Sequence, residues 1–305
     1  MTAIEAGHLV KRFGAVTAVD DVSLVVPEGR IFGFLGPNGA GKTTTLRMLT
    51  GVLTPDAGTV RINGTDIGRH PLEARMQMGV IPESSTVYGD LSAEQNLHLS
   101  GKMYGMPRAE RNERVDELLT RMGLSEKRHL PVRSFSKGMR QRVSIGCAII
   151  HKPKILFLDE PTSGLDVQSR RLVIEIIREM NGQGSTVFLT THNIEEANML
   201  CHTVCIINKG KIVAQDSPER LKRMFDTSQS VEIAFDRAVG SELFAAEGIL
   251  RAEPCGDKWR LYTDNPDRVI KYIVREAADR SIGITSLATS GPSLEEAFVQ
   301  ITECA

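Results

Sequence analysis

The chain has 305 residues, 25% of them charged and 41% hydrophobic, with a formal net charge of −1. That length suits one large domain, or a main domain with a small appendage, around a core that needs no covalent staples. Near-neutrality provides no basic field for nucleic acid and no polybasic tail for an anionic membrane surface, and no apolar run approaches the length that spans a bilayer.

In chain order, residues 4–10 read as an edge strand. Lys11, Arg12, Phe13 and Gly14 then turn the chain, and residues 22–26 read as another strand. Phe13 has two readings, packing in the core or stacking its ring on a base. Residues 31–35 are a short apolar, β-prone run. Gly36, Pro37, Asn38, Gly39, Ala40, Gly41, Lys42, Thr43 and Thr44 follow it and lead into a helical pattern. The order is strand, Gly-rich turn, helix, and the turn fits G-x-x-x-x-G-K-[ST]. Glycines let backbone N–H groups approach a phosphate, and the helix beginning at Lys42 adds unsatisfied N–H groups and its positive dipole end. Lys42 can reach the β- and γ-phosphates, and the Thr43 hydroxyl can take one position on Mg²⁺.

Residues 58–64 read as a strand with a turn. Residues 78–82 are a short strand with Glu83 at its end, followed by polar Ser84, Ser85 and Thr86. A helical pattern runs from Ser92 to about Met122 and breaks near Gly105, Met106 and Pro107; Ser92 and Gln95 form a capping box at its start. Two helices between strands predict a helical subdomain. A linker over 128–133 leads to the stretch from Ser134 to Arg142, and residues 143–150 continue as an apolar helix. Residues 155–158 are four apolar residues of a buried parallel strand, ending in Asp159 and Glu160. Ligands in such sheets sit at the carboxyl ends of strands, and adjacent buried acids are costly unless a cation or a reacting group uses them. Residues 167–180 form a helix and 185–190 the next buried strand. His192 stands just past that strand, at the same sheet edge as the acids. Residues 203–208 and 212–215 form a hairpin through Lys209 and Gly210.

The chain has five cysteines, Cys147, Cys201, Cys205, Cys255 and Cys304. An odd number without framework spacing predicts reduced thiols. Cys201, His202 and Cys205 have a spacing open to a metal, but residues 203–207 alternate as a strand, so the two thiols read as small core side chains. Residues 1–10 lack a basic start followed by an apolar stretch, which predicts no signal peptide and a cytosolic chain unless a partner holds it at a membrane.

Beyond about residue 225 the texture changes. Strands over 231–235, 249–253, 258–263 and 284–288 and helices over 241–247 and 266–279 follow one another as β-α-β-β-α-β, the ferredoxin-like order. A last helix covers 292–302. No catalytic constellation occurs here, and a structural or interaction role is expected.

Over residues 1 to about 220 the chain resembles the nucleotide-binding subunits of ABC transporters. Gly36 to Thr44 resembles the Walker A loop of that family, and the strand ending in Asp159 and Glu160 its Walker B strand. Phe135, Ser136, Lys137, Gly138 and Met139 resemble its signature motif. Ser163, Gly164, Leu165 and Asp166 resemble its D-loop, and His192 its switch histidine. Phe13 falls where the family has a base-stacking aromatic. The C-terminal part, with the run from Pro292 to Phe298, resembles the appended domain of ABC-2-type exporter ATPases, the drug- and antibiotic-resistance branch. Two departures stand out. Lys137 and Met139 replace a Gly and a Gln of the signature, with Ser136 and Gly138 kept. Glu83 replaces the Q-loop glutamine; a carboxylate can bind Mg²⁺ but cannot donate a hydrogen bond when ionised.

The resemblance implies an α/β P-loop ATPase over 1–225, with an N-terminal antiparallel β subdomain and an inserted helical subdomain over about 88–150. A small α+β ferredoxin-like domain over 226–305 follows. It implies ATP and Mg²⁺ as ligands. Lys42, Glu160 and His192 are then catalytic, and Thr43, Glu83 and Asp159 hold Mg²⁺. Phe13, the loop Gly36 to Thr44, Ser136, Gly138 and Asp166 bind nucleotide. Two copies, or this chain and a second ABC subunit, dimerise head to tail, so that Ser136 and Gly138 face the partner's ATP. A separate membrane permease carries the substrate, with this chain peripheral on the cytoplasmic face. The rival is a soluble ABC ATPase acting on nucleic acid or ribosomes. One cassette, no heptad tract and near-zero charge argue against it. A non-hydrolysing regulator is disfavoured by the intact Lys42, Asp159, Glu160 and His192.

Overall fold

Alternating apolar side chains in Thr2–Phe13 (β1) and Val16–Pro27 (β2) form a long antiparallel hairpin around a turn at Gly14 and Ala15. The computed structural model describes residues 1–83, 87–225, 229–290 and 294–303, so Ser84, Ser85, Thr86, Pro292, Ser293 and Cys304 lie outside the described residues. The chain divides into two compact units, Met1–Ser217 and Pro218–Ala305.

In the first unit, Ile31–Leu35 (β3) leaves the hairpin for a second sheet, while Ala57–Ile62 (β4) returns to pair antiparallel with β1 and with Thr65–Asp66 (β5). The order β2-β1-β4-β5 makes β1 an interior strand, not the edge strand its polar residues suggested. Those polar residues mark one solvated face. Glu5 and His8 are exposed, whereas Ile4, Ala6 and Leu9 are buried. Register shifts beside His8, whose φ is 52°, keep the long strand paired on both sides.

The second sheet has the order β10-β9-β3-β8-β7-β6. Lys42–Leu49 (α1) follows the Gly-rich turn, and Pro71–Met76 (α2) precedes Met78–Ile81 (β6). The helices Ala93–Met103 (α3), Arg108–Arg121 (α4) and Lys137–Ile149 (α5) come next, then Ile155–Asp159 (β7). Val167–Gly182 (α6), Thr186–Thr191 (β8) and Ile194–Leu200 (α7) lead to Thr203–Asn208 (β9) and an antiparallel edge strand, Lys211–Asp216 (β10). Every residue of β3, β7 and β8 is buried, as the apolar centres of strands in a covered parallel sheet require. Phe188 centres the core, with its ring 5.5 Å from Phe32, 5.6 Å from Phe34 and 5.7 Å from Phe157. Each such ring contributes about 1.5–3 kcal/mol by leaving water. Leu35 is opposite Thr191 and Asp159 opposite Thr190, so the carboxyl ends of β3, β7 and β8 share one edge.

Both bonds of the Ser92–Gln95 capping box form at the start of α3, and the break before α4 falls at Gly105. Tyr104, at the end of α3, stacks on His151 with ring centroids 3.5 Å apart, and His151 Nε2 lies 3.1 Å from the carbonyl of Met78 in β6. This contact ties the helical segment to the sheet. Burial lowers the pKa of His151 to about 4, so the ring is neutral near pH 7. Cys201 and Cys205 are buried, and His202 Nδ1 accepts from the Ile31 amide, as core residues would.

In the second unit, Pro218–Phe225 (α8) packs against Leu294–Glu303 (α10). Gln229–Phe235 (β11), Arg251–Cys255 (β12), Lys258–Thr263 (β13) and Ile284–Ser290 (β14) form an antiparallel sheet of order β12-β13-β11-β14. Pro266–Asp279 (α9) covers it through Val269 and Ile273. This strand order matches the expected ferredoxin-like arrangement. The first helix does not form over 241–247. Only a four-residue 3-10 turn, Ser241–Phe244, is present. Gly240 offers no side-chain cap, and Gly248 has a φ of 100°.

Candidate functional site

The Gly-rich loop between β3 and α1 lines a cavity of about 460 Å³ through Asn38, Gly39, Gly41, Lys42, Thr43 and Thr44. Gly41 takes a φ of 107°, and a Cβ there would lie 2.5 Å from the Ala18 carbonyl, so no other residue fits this backbone. Glu83, Glu160, Ser163 and His192 face the loop across the cavity. The parallel register of β3, β8, β7 and β6 is what gathers them.

Lys42 is 7% exposed. Its ammonium donates to the carbonyls of Gly36 (2.7 Å) and Pro37 (3.2 Å) and lies 3.8 Å from Glu160 Oε1. Burial lowers its pKa, against the raising effect of Glu160, Asp159 and Glu83. An anionic phosphate would favour the charged form of such a lysine. Thr43 donates to Asp159 Oδ1 at 3.2 Å, and Thr190 donates to the same oxygen at 2.5 Å. The Thr190 hydroxyl also accepts from the Glu160 amide at 3.2 Å. Glu160 itself has φ 51°. That left-handed backbone costs roughly 1–3 kcal/mol and is held by the Glu160 amide, which donates to the Thr190 hydroxyl and to its carbonyl (3.1 Å). It turns the side chain to where Oε2 lies 2.8 Å from His192 Nδ1.

The residues fit Mg²⁺. Thr43, Asp159 and Glu83 offer hydroxyl and carboxylate oxygens, the hard donors this ion takes. Among the described residues no three His, Cys, Asp or Glu side chains cluster to hold an ion by themselves. An ion that keeps phosphate oxygens and water needs no such cage.

Four expected site residues lie away from this cavity. Phe13 is 52% exposed at the end of β1, with the Lys11 ammonium 5.8 Å above its ring, so it is not a core residue and does not line the phosphate pocket. Ser136 caps α5 by accepting from the Met139 amide at 3.3 Å, which leaves its hydroxyl proton to donate elsewhere. Gly138 is packed so closely on Ser169 that a side chain there would collide with it. Asp166 caps α6, accepting from the Ser169 amide (2.9 Å) and hydroxyl (2.8 Å), and the amide bond is the chief cause of its lowered pKa. Thr190 and Arg47 carry no signal in the sequence that marks them as site residues, and Ser163, expected in the loop of residues 163–166, also lines the phosphate cavity. Only the pairing of β7 with β8 brings Thr190 to Asp159, and pairing is not written in either strand alone. Lys137 lies against Gly164 and joins Arg47, Pro82, Glu83, Asp159 and Ser163 around a second cavity of about 270 Å³. It makes no ion pair with the described residues.

The family described as ABC transporter matches residues 19–163. Nod factor export ATP-binding protein I of Ralstonia nicotianae is 37% identical over 96% of this chain and 92% of its own length.

The chain belongs to the ATP-binding subunits of ABC transporters.

Other relatives of this ABC ATPase subunit include the linearmycin resistance ATP-binding protein LnrL of Bacillus subtilis, 32% identical over 98% of each chain. The daunorubicin/doxorubicin resistance ATP-binding protein DrrA of Streptomyces peucetius is 35% identical over 98% of this chain and 92% of its own. Such relatives place the subunit in the drug-export branch, whose members hydrolyse ATP, with Mg²⁺, to power transport and work with a membrane permease. They do not favour a nucleic-acid role. Among solved structures, an ATP-binding subunit of an ABC transporter matches with a TM-score of 0.69 and 32% identity, over 73% of this chain and 93% of its own. CbiO1 of Clostridium perfringens, part of the complex CbiONQ, matches with 0.65 and 25%, over 72% and 90%. No helix among the described residues is long and apolar enough to cross a membrane.

Proposed function

We propose that this subunit hydrolyses ATP at a site shared by two copies, on the cytoplasmic face of a membrane, and thereby drives export of a small molecule through a separate permease. The observation that carries the reading is the Glu160–His192 pair at 2.8 Å, facing Lys42 and the phosphate loop across one cavity. The backbone N–H groups of residues 38–44 and the Lys42 ammonium bind the β- and γ-phosphates. Glu160 aligns the attacking water and takes its proton, and His192 is placed to hold Glu160 and contact the γ-phosphate. Thr43, Asp159 and Glu83 would hold Mg²⁺, which when bound offsets phosphate charge.

Ser136, Gly138 and Asp166 line no part of this chain's own loop cavity. In a two-fold head-to-tail dimer each would face the partner's nucleotide, once per site. The free Ser136 proton and the N-terminal end of α5 suit an anionic γ-phosphate. Export, rather than import, rests on the relatives named for Nod factor export and drug resistance. The exposed Phe13 ring is open to stack on the base.

The test is single-turnover and steady-state phosphate release by Glu160→Gln and His192→Ala. Both should bind ATP within a few-fold of the parent and release phosphate at least a hundredfold more slowly. A Glu160→Gln protein with near-parent turnover would remove the assignment. Co-purification with a membrane protein, against ribosomes or nucleic acid, tests the transport role.

A further inference from the structure

Glu196 is 2% exposed, on α7, and the mechanism above gives it no role. One of its oxygens, Oε2, accepts from the Thr162 hydroxyl at 2.9 Å and from the Thr191 hydroxyl at 3.2 Å. The other, Oε1, is buried with no hydrogen-bond partner among the described residues. Thr162 lies two residues after Glu160, and Thr191 lies one residue before His192. A single carboxylate oxygen therefore holds the two segments that carry the Glu160–His192 pair. The helix bearing Glu196 is itself fixed to the same strand end. Asn193 caps α7 by accepting from the Glu196 amide (3.1 Å), and its own amide donates to Thr191 Oγ1 (2.9 Å). Gln141 of α5 also donates to the Pro161 carbonyl at 3.1 Å.

Burying a carboxyl with one oxygen unpaired is unfavourable. Burial is also the chief cause of the raised pKa of Glu196, with its two hydroxyl bonds pulling the other way. Such a group persists where the geometry it fixes is worth more than its desolvation. Here the fixed geometry is the separation of β7 from β8 at the point where each hands over to its catalytic side chain. Residues 163–166 follow Thr162 directly and include Asp166, so a movement of that loop pulls on Thr162 and, through Glu196 Oε2, on Thr191.

We infer that Glu196 is the positioning residue that sets the alignment of Glu160 with His192 and couples it to the loop carrying Asp166. The inference rests on the assignment of Glu160 and His192 to the reaction. It requires an acceptor at Oε2, not a negative charge. A glutamine can supply that acceptor through its amide oxygen, whereas a methionine of similar length cannot.

The experiment compares Glu196→Gln, Glu196→Met, Thr162→Val and Thr191→Val in the full chain, with kcat, ATP Kd and the imidazole resonances of His192 as readouts. Glu196→Gln should keep kcat within about threefold of the parent. Glu196→Met should lower kcat at least tenfold, leave ATP Kd within about twofold and shift the His192 resonances. The two valine variants should each lower kcat part of the way and should add nothing in the Glu196→Met background, because the shared acceptor is already gone. The idea is overturned if folded Glu196→Met keeps kcat within twofold, if the loss appears in Kd instead, or if the valine effects stay fully additive. Should Glu196→Met fail to fold, the valine variants decide alone, and unchanged kcat and His192 resonances in both would overturn the idea. If Glu160→Gln turned over normally the functional reading would fall, while the His192 resonances would still report whether Glu196 positions that ring.

Discussion

Charged residues are used in opposite ways in the two units. In the sheet of the second unit, Glu232 and Arg260 face each other across β11 and β13, and the guanidinium closes on Glu232 Oε1 at 2.6 Å. At the edge of the parallel sheet, Lys42 stays 3.8 Å from Glu160 and donates instead to two backbone carbonyls. Asp159 is satisfied by two hydroxyls, not by a cation. The first arrangement neutralises charge for the sheet's own benefit. The second holds opposite charges apart, fixed by neutral donors, so that a ligand can complete them. The acid that faces the cavity, Glu160, also sits at φ 51°. Electrostatic preorganisation of this kind is what phosphoryl transfer needs, because the protein contributes position and field more than covalent chemistry.

Substitutions at the two places should therefore differ in size and in kind. The largest effect is expected for Glu160→Gln. A thousandfold loss of phosphate release, about 4 kcal/mol, with ATP affinity nearly unchanged would mark a group used only in the transition state. Next comes Thr190→Val, which removes a donor to Asp159 and an acceptor for the Glu160 amide. Asp159 then keeps only the Thr43 donor and the Glu160 amide only the Thr190 carbonyl, and losing the hydrogen bond to the charged carboxylate costs about 1.5–3 kcal/mol, read as a roughly 10–100-fold fall in kcat. His151 gives a third effect, dependent on pH. Its pKa falls to about 4 in the fold from an ordinary 6.5. Its contribution to stability is complete above 6.5 and is lost as the pH falls towards 4, because only the unfolded chain takes the proton. The His151→Phe variant should lose about 2 kcal/mol less than the parent between pH 8 and pH 5, measured by urea unfolding. The smallest effect belongs to the second unit. Glu232→Gln should cost no more than about 1 kcal/mol of stability and leave ATP turnover intact. A large loss of turnover there would erase the contrast.

Much of this arrangement is legible in the sequence because it is local. The loop Gly36 to Thr44, the acids ending β7 and the Ser92–Gln95 box each need only neighbouring residues to be read. What depends on pairing between strands is not legible. Residues 4–10 carry the polar alternation of a solvated face, which an edge strand and an interior strand of a one-sided sheet share. Thr190 reads as one more β-branched strand residue until β8 is set beside β7. Helix α7 is short, and Glu196 shows nothing of its burial in a run with Glu195 and Asn198. The 3-10 turn at 241–244 has a helical composition and lacks only a cap.

On the proposed function, this chain holds half of each ATP site, and Ser136 and Gly138 of another copy supply the rest. The most direct measurement is the mass of Glu160→Gln in solution with saturating Mg²⁺ and ATP, together with the number of nucleotides bound. A dimer with one ATP per chain is expected, and a return to monomer when Ser136→Ala is added. A protein that stays monomeric with ATP bound, or whose dimer is indifferent to Ser136, would contradict it.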